Sequence, residues 1–228
     1  MPLTTLVPML GLLAAGLGVL TGVPQVLRLL RSPDATGLSH PSAVLAVLAS
    51  GTWLSYGLAL LDPAQILANV PGLGCTVVTV VLAGRRLGVP LRHAVLAVAA
   101  WVPVVAVTFA LGGVLVVGVL ATAVSLVRML PQVLTVLRRA PLHGLAPSTF
   151  ALTQVSATLW TAYGLATGQG SVVVCSVVSF ALAGFVLSRR CPPLVVARAL
   201  HAGRFGVPGQ LLVRPFVLAR RATLTLAA

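Results

Sequence analysis

The chain has 228 residues, of which 58% are hydrophobic and only 7% are charged, and its fifteen basic residues are all Arg. A soluble domain has about a quarter of its residues charged, because charged side chains cover its surface, so this composition excludes an ordinary soluble protein and predicts an all-α membrane protein. The net charge of +13 does not indicate nucleic-acid binding, since the arginines stand at the ends of apolar runs rather than on one face.

Seven apolar runs follow one another along the chain. Each has about 20 residues or more, the length that crosses the hydrocarbon core of a bilayer. The first run is predicted to be a retained helix rather than a cleaved signal, because no basic residue precedes it and it exceeds the usual length of a signal core. The predicted spans are residues 3–30, 41–61, 65–84, 93–111, 113–137, 146–167 and 170–188.

Arginine marks alternate connections between these runs. It occurs around the connections after the first, third and fifth runs and after the seventh, whereas the other connections hold none. Because positively charged loops are retained in the cytoplasm, the pattern predicts an external N-terminus and a cytoplasmic C-terminus. Only Arg128 falls outside this pattern. The use of Arg without Lys is typical of GC-rich bacterial sequences and favours a bacterial cell membrane as the location.

A shift of 107 residues aligns the second half of the sequence with the first. The aligned positions include both tyrosines of the chain and two of its three tryptophans, so chance does not explain the match. The paired segments are Pro24-Gln25 with Pro131-Gln132, Gly37-Leu38 with Gly144-Leu145, and Trp53-x-x-Tyr56-Gly57 with Trp160-x-x-Tyr163-Gly164.

The repeat predicts four parts along the chain. Residues 1–86 and 113–190 each form a three-helix unit, and residues 87–112 form a single linker helix between them. Because one linking span returns the chain to its starting side, the two units are expected to be parallel repeats with a site at their interface. Residues 191–228 form a basic cytoplasmic tail, either lying on the anionic inner leaflet or disordered.

A proline lies within the first span of each unit. Pro24 and Pro131 cannot donate a helical hydrogen bond, and the neighbouring amides of Gln25 and Gln132 are candidates to satisfy the carbonyls left without a partner. Their matched positions favour a pair of hinges, while static kinks are the alternative, since proline is common in membrane helices.

Trp53 and Asn69 are candidate binding residues. Asn69 is the only asparagine of the chain and lies inside an apolar run, so it is expected to face the interior of the bundle. A tryptophan face packs on the C–H surface of a sugar-like ring, and an amide can bind hydroxyl groups. Taken separately, an interfacial Trp and a helix-packing Asn explain the two residues better than a binding site does.

These motifs resemble those of a known transporter superfamily. The Pro-Gln and Trp-x-x-Tyr-Gly motifs, Gly37-Leu38-Ser39 and Asn69, in a layout of three, one and three spans, are similar to the PQ-loop repeats of the SWEET sugar transporters and their half-sized SemiSWEET relatives. The resemblance covers residues 3–190. It implies a seven-helix transporter of a small neutral solute, a mono- or disaccharide, that works by facilitated diffusion with alternating access.

The resemblance also implies roles for individual residues. Trp53, Asn69 and Trp160 would line a central sugar site, and the two prolines would be its hinges. The position matching Asn69 is Ser176, a smaller group, so the second unit departs from the pattern. Arg128 is a second departure and a further polar candidate, because a charge inside a membrane indicates a functional site.

No other chemistry is indicated. Cys75, Cys175 and Cys191 lack metal-binding spacing, no second carboxylate pairs with Asp34 or Asp62 for acid–base catalysis, and no phosphate-binding loop follows a strand. The four histidines fall in predicted loops and the tail, where we expect them to be solvated. We therefore expect neither an enzyme nor a cofactor or metal, and no nucleic acid as a partner.

Two alternative functions stay open. One is proton-coupled transport of an amino acid or another metabolite, which would call for a titratable group inside the membrane. The other is a receptor or assembly protein on the same scaffold, because a fold does not dictate a function. The expected partners are the solute and the lipid bilayer, and the sequence leaves homo-oligomerisation open.

Overall fold

The structure is a computed structural model that describes residues 3–31, 39–137 and 147–190, with 202–203, 206–211 and 214 of the tail. The first three ranges are almost entirely helical. Their helices are α1 (Leu3–Arg31), α2 (His40–Leu60), α3 (Pro63–Leu87), α4 (Arg92–Leu137), α5 (Pro147–Thr167) and α6 (Gly170–Arg190).

The fourth helix contains a break at Gly113, whose φ of 61° and ψ of −157° are not helical. We call residues 92–112 α4a and residues 114–137 α4b. The sequence predicts two spans here, 93–111 and 113–137, and the structure joins them through a single non-helical residue. A side chain with a Cβ disfavours this backbone conformation, which explains a glycine at the break.

The chain reverses direction at this break, as its contacts with α2 show. On α4a, Ala94 packs in one cluster with Ala43, and further along the indole of Trp101 donates to the hydroxyl of Thr52. On α4b the order is opposite, because Gly118 lies against the ring of Tyr56 and the later Ser125 bonds to Trp53. The two arms therefore run antiparallel beside α2.

Asp62 joins α2 to α3 in a two-residue turn. Its carboxylate accepts from the backbone N–H groups of Ala64 and Gln65, at 2.9 and 3.1 Å, which is the bonding of an N-cap. Pro63 follows as the first helical residue, where its missing N–H has no partner to lose. This cap explains why α3 begins at residue 63 and not at the predicted 65.

The turn between α5 and α6 has the same backbone bonding. The N–H of Asp62 donates to the carbonyl of Gly57 at 2.9 Å, and the N–H of Gln169 donates to that of Gly164 at 2.8 Å. The partners in the second turn lie 107 residues after those in the first. We call the end of the bundle that holds both turns the Asp62 end, and the opposite end, with Arg31, the α3–α4 connection and its arginines, the arginine end.

The helices pack in two sets with matching partners. In the first set α3 packs on α1 and α2, and in the second α6 packs on α4b and α5. Between the sets, α1 packs on α5 and α2 packs on α4. A buried cluster of Tyr56, Val117 and Val172 joins the two sets at the Asp62 end, where Trp53 and Trp160 pack against it.

Five helices among the described residues are long and apolar enough to cross a membrane. One of them has 39 residues, which as a straight helix at 1.5 Å a residue would measure about 58 Å, or about twice a 30 Å hydrocarbon core. This is the helix that reverses at Gly113. The five segments are Thr5–Val23, His40–Leu60, Pro63–Leu87, Arg92–Leu130 and Gly170–Ser188.

One histidine is buried, contrary to the prediction from the sequence. His40 is the first residue of α2 and only 6% exposed, and it lies against Gly84 near the end of α3. The prediction that the histidines are all solvated is therefore wrong at this position. His93, by contrast, is exposed. The difference arises because α2 and α3 pack closely at the arginine end.

Replacement of Gly113 by Ala should destabilise the protein. A residue with a Cβ at this φ and ψ is strained by about 1–3 kcal/mol, so we expect a lower melting temperature in detergent. Gly74→Ala is the matched control, because Gly74 lies inside α3 with open space around it and alanine favours a helix. Equal melting temperatures for the two variants would show that the break does not depend on glycine.

Candidate functional site

A central cavity of about 610 Å³ lies between the two helix sets. The sequence proposes five residues for a binding site, and the structure brings all of them to its wall. They are Trp53, Asn69, Trp160, Ser176 and Arg128. Since small-molecule sites usually enclose about 300–1,000 Å³, this cavity has room for a small solute.

The lining of the cavity follows the 107-residue shift. Of its 25 lining residues, 22 form eleven pairs that are 107 positions apart, such as Gly18 with Ser125 and Ala68 with Cys175. Equivalent positions of the two sets therefore face each other across a common space. The cavity therefore lies between the two helix sets.

The two tryptophans hold similar positions but differ in their hydrogen bonds. The ring of Trp53 meets that of Tyr56 edge to face at 5.5 Å, and Trp160 meets Tyr163 at 5.6 Å. The indole N–H of Trp53 donates to the Ser125 hydroxyl at 2.9 Å. The residue that matches Ser125 in the first unit is Gly18, so the N–H of Trp160 lacks this acceptor.

Asn69 is held by its own helix. Its Nδ2 donates to the backbone carbonyl of Gln65 at 2.8 Å and to the side-chain Oε1 of the same residue at 3.3 Å. These bonds orient the amide, and they use its Nδ2 and not its Oδ1, on a residue that lines the cavity. Ser176 is buried in the opposite wall. The pair offers hydrogen bonds from both sides, with the longer reach on the side of Asn69.

Arg128 lies in the wall formed by α4b, and its side chain is exposed to the cavity. It stands one turn beyond Ser125, the partner of Trp53. The matching residue of the first unit is Thr21, which also lines the cavity. The site therefore carries a positive charge on one side only.

A buried polar cluster that the sequence did not predict lies at the Asp62 end of the cavity. The Tyr163 hydroxyl donates to the two carboxylate oxygens of Asp62, at 2.8 and 2.9 Å. Gln169 donates to the same carboxylate through Nε2 at 2.6 Å. With the two N-cap bonds, the carboxylate accepts from both helix sets and fastens them together. The one sequence signal for it was the shift itself, which matches Asp62 with Gln169.

Two glycines allow the helices to close at this end. A Cβ on Gly11 of α1 would lie 2.6 Å from the Cβ of Ala64 and 2.7 Å from the ring of Tyr163. A Cβ on Gly118 of α4b would overlap Ser171 and lie 2.8 Å from the ring of Tyr56. The two glycines are again 107 residues apart, so each unit receives the tyrosine of the other at the same place.

The predicted hinges are described only in part. The backbone is helical at Pro24-Gln25 and Pro131-Gln132, but the four side chains lie outside the described residues. Cys75 and Cys175 are free thiols in the cavity wall. In the ranges that the structure describes, no three His, Cys, Asp or Glu side chains are grouped to hold a metal ion.

Comparison with known proteins gives a likeness in structure but not in sequence. No protein-family model and no curated protein sequence matches the chain. The solved structure of a eukaryotic SWEET transporter is similar at 16% sequence identity, with a TM-score of 0.62, over 80% of this chain and 96% of that one. The chain therefore has the fold of that transporter and is a multi-pass membrane protein.

Proposed function

We propose that the protein is a transporter that moves a small hydroxylated solute, in the class of mono- and disaccharides, across the membrane by facilitated diffusion. The observation that carries the proposal is the central cavity, whose wall is built from equivalent positions of both helix sets. Binding sites between parallel repeats are typical of transporters. The similar SWEET structure supports the same conclusion.

The proposed topology has seven spans, with the arms of α4 as the fourth and fifth. The described arginines Arg31, Arg85, Arg86 and Arg92 lie at the arginine end, and positive charge is retained in the cytoplasm. That end is therefore cytoplasmic and the Asp62 end external. Residues 1–86 and 113–190 are the two units, and 87–112 is the linker.

The proposed transport cycle requires the Asp62 cluster to open and close. In this proposal the bonds that Tyr163 and Gln169 of the second unit make to Asp62 of the first keep the external end closed. A solute can enter from outside only when these bonds break and the two units move apart. Rocking of the units about Pro24 and Pro131 provides that movement.

The solute would bind between the two tryptophans. Trp53 and Trp160 supply flat apolar faces for a ring, the Oδ1 of Asn69 accepts from a hydroxyl, and Ser176 offers a shorter contact opposite. The polar groups among these are few and make directional hydrogen bonds, as in small-molecule sites generally. The bonds that Gln65 makes to Asn69 orient its amide before the solute arrives.

Proton-coupled transport is a second candidate, and one observation favours it. Asp62 is only 7% exposed and accepts bonds from both units, so a buried carboxylate lies among the contacts that would close the external end. The sequence alone predicted no titratable group in such a position. Coupling through this carboxylate would make the flux depend on a pH gradient.

Uptake into proteoliposomes distinguishes the two candidates. We expect saturable flux of a labelled sugar that is unchanged by a pH gradient and that falls about tenfold or more in Asn69→Ala and Trp160→Ala, because each loses a directional contact in the site. Leu165→Ala is the control, since Leu165 is an exposed side chain on the outer surface of α5. Flux that requires a proton gradient would favour the second candidate, and no flux of any solute in folded protein would reject transport.

A further inference from the structure

Arg128 carries a positive charge far from the Asp62 end of the helix bundle. Gly118 marks the Asp62 end of α4b, and Arg128 follows ten residues later, about 15 Å along the helix axis at 1.5 Å a residue. Ser125, one turn earlier, accepts the indole N–H of Trp53. Arg128 therefore lies in the cavity wall one turn further from the Asp62 end than Ser125, the residue that contacts Trp53.

No carboxylate among the described residues neutralises this charge. The chain has only two acids. Asp62 is occupied at the Asp62 end by Tyr163 and Gln169, and Asp34 lies outside the described residues, beyond the end of α1. Arg128 itself makes no hydrogen bond or ion pair with a described residue, although its side chain is exposed to the cavity.

The surroundings of Arg128 are polar but neutral. Ser125, Ser179 and Cys175 share the cavity wall with it, and Thr21 holds the equivalent position in the first unit. An unpaired cation is unfavourable inside a membrane, and where one occurs it usually serves binding or transport. A guanidinium presents a planar fork of donors that fits a carboxylate, so a carboxylate on the solute would supply the counter-ion that the described residues lack.

We infer that the cavity takes a small hydroxylated monoanion, a carboxylate-bearing sugar acid, with Arg128 as its anion-binding residue. This inference rests on the proposed transport function and narrows its substrate class. The ring lies between Trp53 and Trp160, its hydroxyls bind Asn69, and the carboxylate binds Arg128. A phosphate monoester fits less well, because its charge of nearly −2 would meet a single cation.

The charge of such a solute has a consequence for transport. Uniport of a monoanion moves one charge across the bilayer, and a potential of 100 mV changes its equilibrium accumulation by about fiftyfold. A potential negative inside a vesicle would therefore slow uptake of the anion and leave uptake of a neutral sugar unchanged. A structural role for Arg128 does not predict this difference.

Glucuronate and glucose are suitable probes, because they share a ring and differ only at C6. Initial uptake of each is measured in proteoliposomes of the wild type, Arg128→Gln and Arg128→Lys, with and without an imposed potassium diffusion potential. Arg92→Gln is the matched control, since it removes the same charge from an exposed position outside the cavity. Melting temperatures establish that each variant is folded.

We expect wild-type uptake of glucuronate to exceed that of glucose and to respond to the potential. Arg128→Gln should lower glucuronate uptake by about 10- to 100-fold, the effect of one lost charge-assisted hydrogen bond, and should change glucose uptake less than about threefold. Arg128→Lys should retain part of the flux, and Arg92→Gln should behave as the wild type.

The inference and the proposed function fail in different ways. Saturable glucose flux without glucuronate flux, or an equal loss of both in Arg128→Gln, overturns the anion site and leaves a sugar transporter. If neither solute moves, quenching of tryptophan fluorescence measures binding directly. Glucuronate binding that Arg128→Gln abolishes would support the anion site and reject transport, whereas no binding would overturn both.

Discussion

In the proposed transport cycle, Asp62→Ala is expected to favour opening of the Asp62 end and to lower solute flux by about tenfold or more. The substitution removes the acceptor for Tyr163 and Gln169, the cross-unit bonds that close this end. Hydrogen bonds to a charged group contribute about 1.5–3 kcal/mol each, so the closed state loses most of its occupancy. The N-cap of α3 is lost as well, at about 1 kcal/mol.

The opening can be measured with the chain's own thiols. Cys75 and Cys175 line the cavity, so in a Cys191→Ser background a charged, membrane-impermeant thiol reagent added from outside reports access through the Asp62 end. We expect labelling in intact cells to rise severalfold in Asp62→Ala. Unchanged labelling with normal flux would mean that the cluster does not control access.

Two further variants separate the cap from the cross-unit bonds. Asp62→Asn keeps a good N-cap and a hydrogen-bonding side chain of the same size, so its effect should be intermediate. Tyr163→Phe removes only a cross-unit donor and leaves the cap intact. If the bonds act together, the double variant of Asp62→Ala and Tyr163→Phe should lose less flux than the two single losses combined.

Gly11→Ala is expected to impair the same closure by a steric route. Its Cβ would lie 2.6 Å from the Cβ of Ala64 and 2.7 Å from the ring of Tyr163, and both neighbours are held in place by the Asp62 turn. Overpacking of this kind destabilises a contact by about 1–3 kcal/mol. Flux should fall about tenfold, and labelling of the cavity thiols from outside should rise.

Gly16→Ala supplies the matched control on the same helix. Nothing lies within 4 Å of a Cβ at that position, so its flux should stay within about twofold of the wild type. Gly118→Ala in the second unit should repeat the effect of Gly11→Ala, because its Cβ would meet Ser171 and Tyr56. Equal flux in the Gly11 and Gly16 variants would show that close helix approach is not needed.

Much of the site followed from the sequence, although the function of its residues awaits these tests. The 107-residue shift marked Trp53 with Trp160 and Asn69 with Ser176, and both pairs lie in one cavity. Arg128 was singled out because a charge inside an apolar run is exceptional. Rare residues in a chain of 58% hydrophobic composition carry information that its leucines and valines do not.

The helices were predictable for a similar reason. Apolar run lengths predicted helices close to the observed bounds, since a bilayer leaves the backbone few alternatives. The differences are local: Asp62 and Pro63 start α3 two residues early, and Gly113 joins two predicted spans within one helix. In both places the bonding or conformation of a single residue decides the boundary, which hydropathy does not register.

The sequence by itself determined that this is a helical membrane protein with two related halves, because run length, arginine placement and the shift are properties of the chain. Only the tertiary structure decided how the halves close on each other. Tyr163 lies 101 positions after Asp62, and Gln169 lies 107 positions after it. Gly11 is one of 22 glycines. Whether these residues contact each other depends on where the helices cross, and hydropathy does not predict a crossing point.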